Sequence, residues 1–155
     1  MLTITESVLV RELALKWSKV GLQVVKELVV PIIDNIYYDN YLEGRDSIRI
    51  DLAAYDPHND KIIFVEAENG LYLPHPQIYL PFCNELYVLC PEDLSSFRNE
   101  QMEWSRDEGI GIIEMTEDGE ITTSLSASSR KIYPSVEAYV KARLFKKIEK
   151  ERKKK

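Results

Sequence analysis

A chain of 155 residues, 45% apolar and 30% charged, suits one domain with a single buried core, and it holds no low-complexity tract or solenoid-type repeat. No apolar run nears the roughly 20 residues that cross a bilayer, and charges interrupt the opening MLTITESVLVRELALKW, so the chain reads as soluble and cytoplasmic without a signal peptide. The net charge of −6 hides an asymmetry: Lys141 to Lys155 carries nine Lys/Arg and two Glu, a surplus of +7 that leaves −13 on the other 140 residues.

Thr3-Ile4-Thr5-Glu6 fits a capping box, and Leu9, Leu13, Trp17 and Val20 follow at helical spacing up to Gly21, which predicts an amphipathic helix over about 4–20. Leu22 to Tyr38 is dense in Val and Ile and predicts one or two strands, with Pro31 marking an edge, a bulge or a break. Asp39 to Ser47 is a loop. From Ser47 to Tyr55 the pattern alternates, with Ile48, Ile50, Leu52 and Ala54 on one face. Asp56-Pro57-His58-Asn59-Asp60 is a turn, and Lys61 to Ala67 returns as a strand with Ile63, Val65 and Ala67 on one side and Ile62, Phe64 and Glu66 on the other. The two strands should form a hairpin. After a loop over 70–76, Gln77 to Asn84 fits a short helix, Glu85 to Cys90 a buried strand, and 92–108 a mostly helical or irregular stretch. Gly109 to Met115 is a further strand, and the turn Glu117-Asp118-Gly119-Glu120 leads into a last short one over 120–124. A Ser-rich linker over 124–130 precedes a helix from Tyr133 onward.

This order predicts the α/β class, a mixed central β-sheet flanked by helices, divided into a domain over 1–130 and a C-terminal helix with a basic tail over 131–155. The tail either reaches a polyanion or is a solvated helix end whose lysines complement the helix dipole. Cys83 and Cys90, six residues apart without a His partner, read as buried structural thiols.

Three carboxylates stand out by placement. Asp51 interrupts the first hairpin strand, while Glu66 and Glu68 end the second and share a face because side chains repeat every two residues. Pairing through the PHND turn brings Asp51 across from Glu66. Ionised carboxylates repel and strand interiors normally exclude them, so such a cluster is stable when a divalent cation neutralises it, and oxygen-rich sites select Mg²⁺ or Mn²⁺. A strand ending in Glu-Ala-Glu is alternatively one that emerges into water.

The run Asp51, fourteen residues, then Glu66-Ala67-Glu68 resembles the D-x(n)-(D/E)-x-K core of the PD-(D/E)XK nuclease superfamily. RIDLAAYDPHNDKIIFVEAEN followed by PQIYLPFCNELYVLCPEDL is similar to the MmcB-like DNA-repair proteins of that superfamily, and GIGIIEMTEDGEI to their next strand-turn-strand. The likeness covers about residues 45–122. It implies a restriction-endonuclease-like core and metal-dependent hydrolysis of DNA. Asp51 and Glu66 would hold Mg²⁺ or Mn²⁺ with the Ala67 carbonyl, and Gln77 would face the site from the start of the helix. Tyr79 to Cys83 would pack that helix.

The sequence departs from this pattern at Glu68, where the family carries Lys. Glutamate there acts as a base or extra ligand in some members of the superfamily, or it marks a domain that kept binding and lost catalysis. Lys61 and Arg49 are candidate donors of the missing charge, although Lys61 begins its strand on the face opposite Glu66 by that alternation. Glu12, with Glu6 behind it, is the candidate acid from the first helix. His75 could touch a phosphate, His58 sits in a turn, and Trp104, Tyr72 and Tyr79 are candidate stacking residues. Nucleic acid, DNA before RNA, is the expected partner, with a homodimer where both strands of a duplex are to be cut.

Overall fold

The computed structural model describes residues 4–32, 46–68, 76–92 and 98–154. Helix α1 (Glu6–Lys19) begins at Thr5, whose hydroxyl accepts a hydrogen bond from the Val8 N–H at 3.2 Å. The cap is therefore Thr5; Thr3 lies outside the described residues. The helix ends at Val20, with Gly21 taking the left-handed conformation (φ 95°) that suits the residue after a helix. Its buried face is Leu9, Val10, Leu13 and Ala14. Val20, placed on that stripe by spacing, is 67% exposed because the helix has already stopped.

Six strands follow in chain order across one sheet: β1 (Gln23–Pro31), β2 (Ser47–Asp56), β3 (Lys61–Ala67), β4 (Glu85–Pro91), β5 (Gly111–Met115) and β6 (Ile121–Leu125). β1, β2 and β3 pair antiparallel, β3, β4 and β5 parallel, and β6 returns antiparallel. The parallel steps are bridged by a short 3-10 helix (Pro76–Phe82) and by helix α2 (Arg98–Glu108). Pro31 closes β1 at a sheet edge, where a missing N–H is tolerated. Within the described residues no helix is long and apolar enough to cross a membrane.

The sheet is thus the centre of an α/β layered domain with helices on both faces, as the pattern predicts. α1 covers one face over Leu52, Val65, Ala67, Leu89 and Ile113. Helix α3 (Pro134–Arg152) and the 3-10 helix cover the other, over Val25, Leu28, Ile48, Ile50, Phe64 and Val88. Proline opens α3, and Val136, Val140, Leu144 and Ile148 form a buried stripe at four-residue spacing. α3 therefore packs into the same core as the sheet. The Ser-rich segment before it is tied down: Arg130 and Asn84 exchange hydrogen bonds at 2.9 Å, and Ser128 N–H donates to the Gly109 carbonyl at 3.0 Å.

β3 matches its predicted alternation, while β2 does not. Ile48 and Ile50 face α3, Leu52 faces α1, and Ala53 faces α3 again. The same slip occurs in β1, where Val25, Leu28 and Val30 share the α3 side. The β1–β2 register is unchanged on either side, Lys26 facing Leu52 and Leu28 facing Ile50. Both strands therefore switch faces at one point, where Glu27 lies opposite Asp51. Glu27 has φ 55°, a conformation uncommon for a residue with a Cβ.

Candidate active site

Asp51 stands where regular pairing in the hairpin ends. The last β2–β3 partners are Leu52 and Val65, and beyond them the Ala67 N–H donates to the Asp51 carboxylate at 2.8 Å. Asp51 thereby reaches across to the end of β3, and its carboxyl interacts with that of Glu66. The hairpin pairing predicted from the turn brings Asp51 to the end of β3.

Glu66 sits on the α3 side of the sheet beside Tyr79 of the 3-10 helix. Burial pushes its carboxyl up to about 9, reinforced by the Asp51 charge and hydrogen bond and by the Glu68 charge, against a lowering contribution from the Tyr79 hydroxyl. Its Oε2 is buried and, among the described residues, is the side-chain oxygen left without a hydrogen-bond partner. A buried acceptor without a donor costs about 1–3 kcal/mol. Tyr79 itself is buried in the core with Phe82 and Cys83, and Trp104 is partly buried against the same core. Tyr72 and His75 lie outside the described residues. Gln77 is in the first turn of the 3-10 helix, and its side chain is likewise outside them.

Asp51 also lines a cleft of about 640 Å³ between α1, the β1–β2 edge and the end of α3. Glu6, not Glu12, is the α1 carboxylate there; Glu12 pairs with Arg11 and borders a separate hollow near Gly119 and Ile121. Spacing along α1 could not choose between them, since the choice depends on how the helix is set against the sheet. Arg49 reaches the cleft, held at 2.7 Å by Glu27. Lys61 does not: its ammonium is bound by Glu85 at 2.9 Å and by Ser129 at 2.7 Å, at the far end of the strand. The tail supplies what sequence reading did not place. Lys147, Lys150 and Lys154 recur on one face of the α3 end and line the cleft with Asp51.

The donor set suits a hard cation in part. Two carboxylates meet, one with an unsatisfied oxygen, and only oxygen donors are present. No group of three His, Cys, Asp or Glu side chains converges to hold an ion among the described residues. A cation here would complete its shell with the Ala67 carbonyl, water and ligand oxygens. The thiols fit no metal role: both are buried, and burial pushes Cys83 up to about 12.

No family model and no curated protein matches the chain. Among solved structures it is similar to a protein of unknown function from Silicibacter pomeroyi, at 14% identity and a TM-score of 0.63, over 97% of this chain and 90% of that one. At that identity the likeness shows a shared fold.

Proposed function

We propose that this chain is a metal-dependent nuclease of the PD-(D/E)XK type, hydrolysing DNA phosphodiester bonds in DNA repair or processing. The observation that carries the reading is the buried, partnerless Glu66 Oε2 set against Asp51 beside a lysine-lined cleft. Asp51, Glu66 and the Ala67 carbonyl would hold Mg²⁺ or Mn²⁺, which when bound supplies polarisation of a phosphate and activation of water. Glu68 positions or deprotonates that water, and Gln77 orients the group beside it. Lys150 and Lys154 meet the phosphate backbone, providing positive charge that Glu68 does not. A second copy enters where both strands of a duplex are cut.

A second reading, a nuclease-fold module that binds nucleic acid without cutting it, draws support from Glu68 in the lysine position and from the missing three-carboxylate group among the described residues. The two separate in one assay. The purified chain is incubated with Mg²⁺ or Mn²⁺ and single- or double-stranded DNA and RNA, beside Glu68→Ala. Cleavage of DNA that disappears in the variant supports the nuclease. Salt-sensitive binding without cleavage, equal in both proteins, supports the module. Neither cleavage nor binding removes both readings.

A further inference from the structure

Successive carbonyls of an extended strand point to opposite edges, so a single side chain does not ordinarily reach two in a row. At the β1 irregularity one does. Lys147 of α3 donates its ammonium protons to the Lys26 carbonyl at 2.5 Å and to the Glu27 carbonyl at 2.7 Å. The left-handed φ of 55° at Glu27 is what turns the two neighbours toward one cation.

The consequence passes to the partner strand. Lys26 faces Leu52 and Leu28 faces Ile50, so Glu27 lies opposite Asp51, and both strands change faces at that pair. Leu52 enters the α1 core while Ile50 stays on the α3 side. Asp51, between them, is held clear of the regular ladder and receives the Ala67 N–H. We infer that Lys147 is a positioning residue: by clamping two successive carbonyls of β1 it fixes the left-handed Glu27, and through the paired kink it sets the Asp51 carboxylate against the end of β3. Its importance for cation binding rests on the carboxylate-site reading above; the clamp itself does not.

Amide hydrogen exchange on the metal-free full chain tests this without needing either cation or nucleic acid. The reporters are the Ala67 N–H, bonded to Asp51, and the Ile62 N–H, bonded to the Asn84 side chain at the other end of the same strand. In Lys147→Met, Ala67 exchange should rise about tenfold relative to Ile62, as a local opening does. Lys147→Arg keeps a multiple donor and should restore wild-type exchange. Glycine takes φ 55° freely, so in a Glu27→Gly background Lys147→Met should change Ala67 by less than about threefold. Equal increases at Ala67 and Ile62, or no change at Ala67, would overturn the proposal. If Lys147→Met does not fold, the Glu27→Gly/Lys147→Met pair decides: a folded double variant supports the clamp, and an unfolded one contradicts it. Mn²⁺ titration of the same proteins then separates the two ideas. A local Ala67 effect with no cation binding by the wild type, with or without a short DNA duplex, leaves the clamp standing and removes the carboxylate site.

Discussion

The two ends of the β2–β3 hairpin carry similar side chains in opposite circumstances. At the turn, every described charge has a partner. Asp56 accepts from His58 and Asn59, Asp60 accepts from the Tyr55 hydroxyl at 2.6 Å and from Lys141 at 2.8 Å, and Lys61 meets Glu85. Hydrogen bonds from Asn59 and Lys141 hold Asp56 and Asp60 below the usual carboxylate range. At the open end carboxylates meet carboxylates, and Glu66 is driven the other way. The turn's carboxylates are met by donors, whereas Glu66 Oε2 is buried without one, and the proposed cation site rests on that contrast.

The sharpest way to break this contrast is to remove the open end. Asp51→Ala and Glu66→Ala should each reduce Mn²⁺ affinity by on the order of 100-fold or more, the upper end of what losing even a supporting group costs a metal site. Isothermal titration checks it, and an unchanged affinity in either variant would remove that residue from the site. Next in size is the cleft wall. Lys150→Met/Lys154→Met should lower the slope of log affinity for duplex DNA against log salt by about 1.8, two phosphate contacts at about 0.9 each, as fluorescence anisotropy measures.

A smaller effect follows from Glu66 protonation. A carboxyl raised from 4.5 to about 9 keeps its proton when folded and releases it when unfolded, so the native state binds more protons between those values. Its contribution to stability therefore falls as pH rises from about 4.5 to about 9. Glu66→Gln should be more stable than wild type at pH 8 in the absence of divalent ions, with the advantage shrinking toward pH 5. Thermal melts at the two pH values read this, at about 2–4 °C for each kcal/mol. Divalent binding to wild type should also strengthen with pH, because the proton must leave. The least effect on the site belongs to the satisfied end. Asn84→Ala strips the buried Ile62 N–H of its acceptor and should cost about 1–3 kcal/mol in denaturant unfolding, with ion binding unchanged.

Much of this was legible in the residues, for local reasons. Lys61 to Ala67 alternates cleanly, and its strand ends where the pattern places it. The turn composition of Asp56–Asp60 predicts the hairpin, and the hairpin brings Asp51 to Glu66. The failures are non-local. The face switch in β2 originates in the backbone of Glu27, a strand away, and in a lysine about 120 residues on. An alternating IRIDLAAY holds no sign of it. The choice of Glu6 over Glu12 depends on how α1 sits on the sheet, and the basic tail becomes a cleft wall only because Val136, Val140, Leu144 and Ile148 anchor α3 across β1. The partnerless state of Glu66 Oε2 needs the packing of Tyr79 and Asp51 around it, which no spacing encodes.

Whether the open end of the hairpin is a divalent-cation site is decided by calorimetric titration of Mn²⁺ and Mg²⁺ into the full chain between pH 7 and 9. It is run with and without a short DNA duplex, beside Asp51→Ala and Glu66→Ala. The expected result is one binding event per chain that strengthens with pH and disappears in both variants. Wild-type protein that takes up no ion even with DNA present, or binding that survives in both variants, would contradict it.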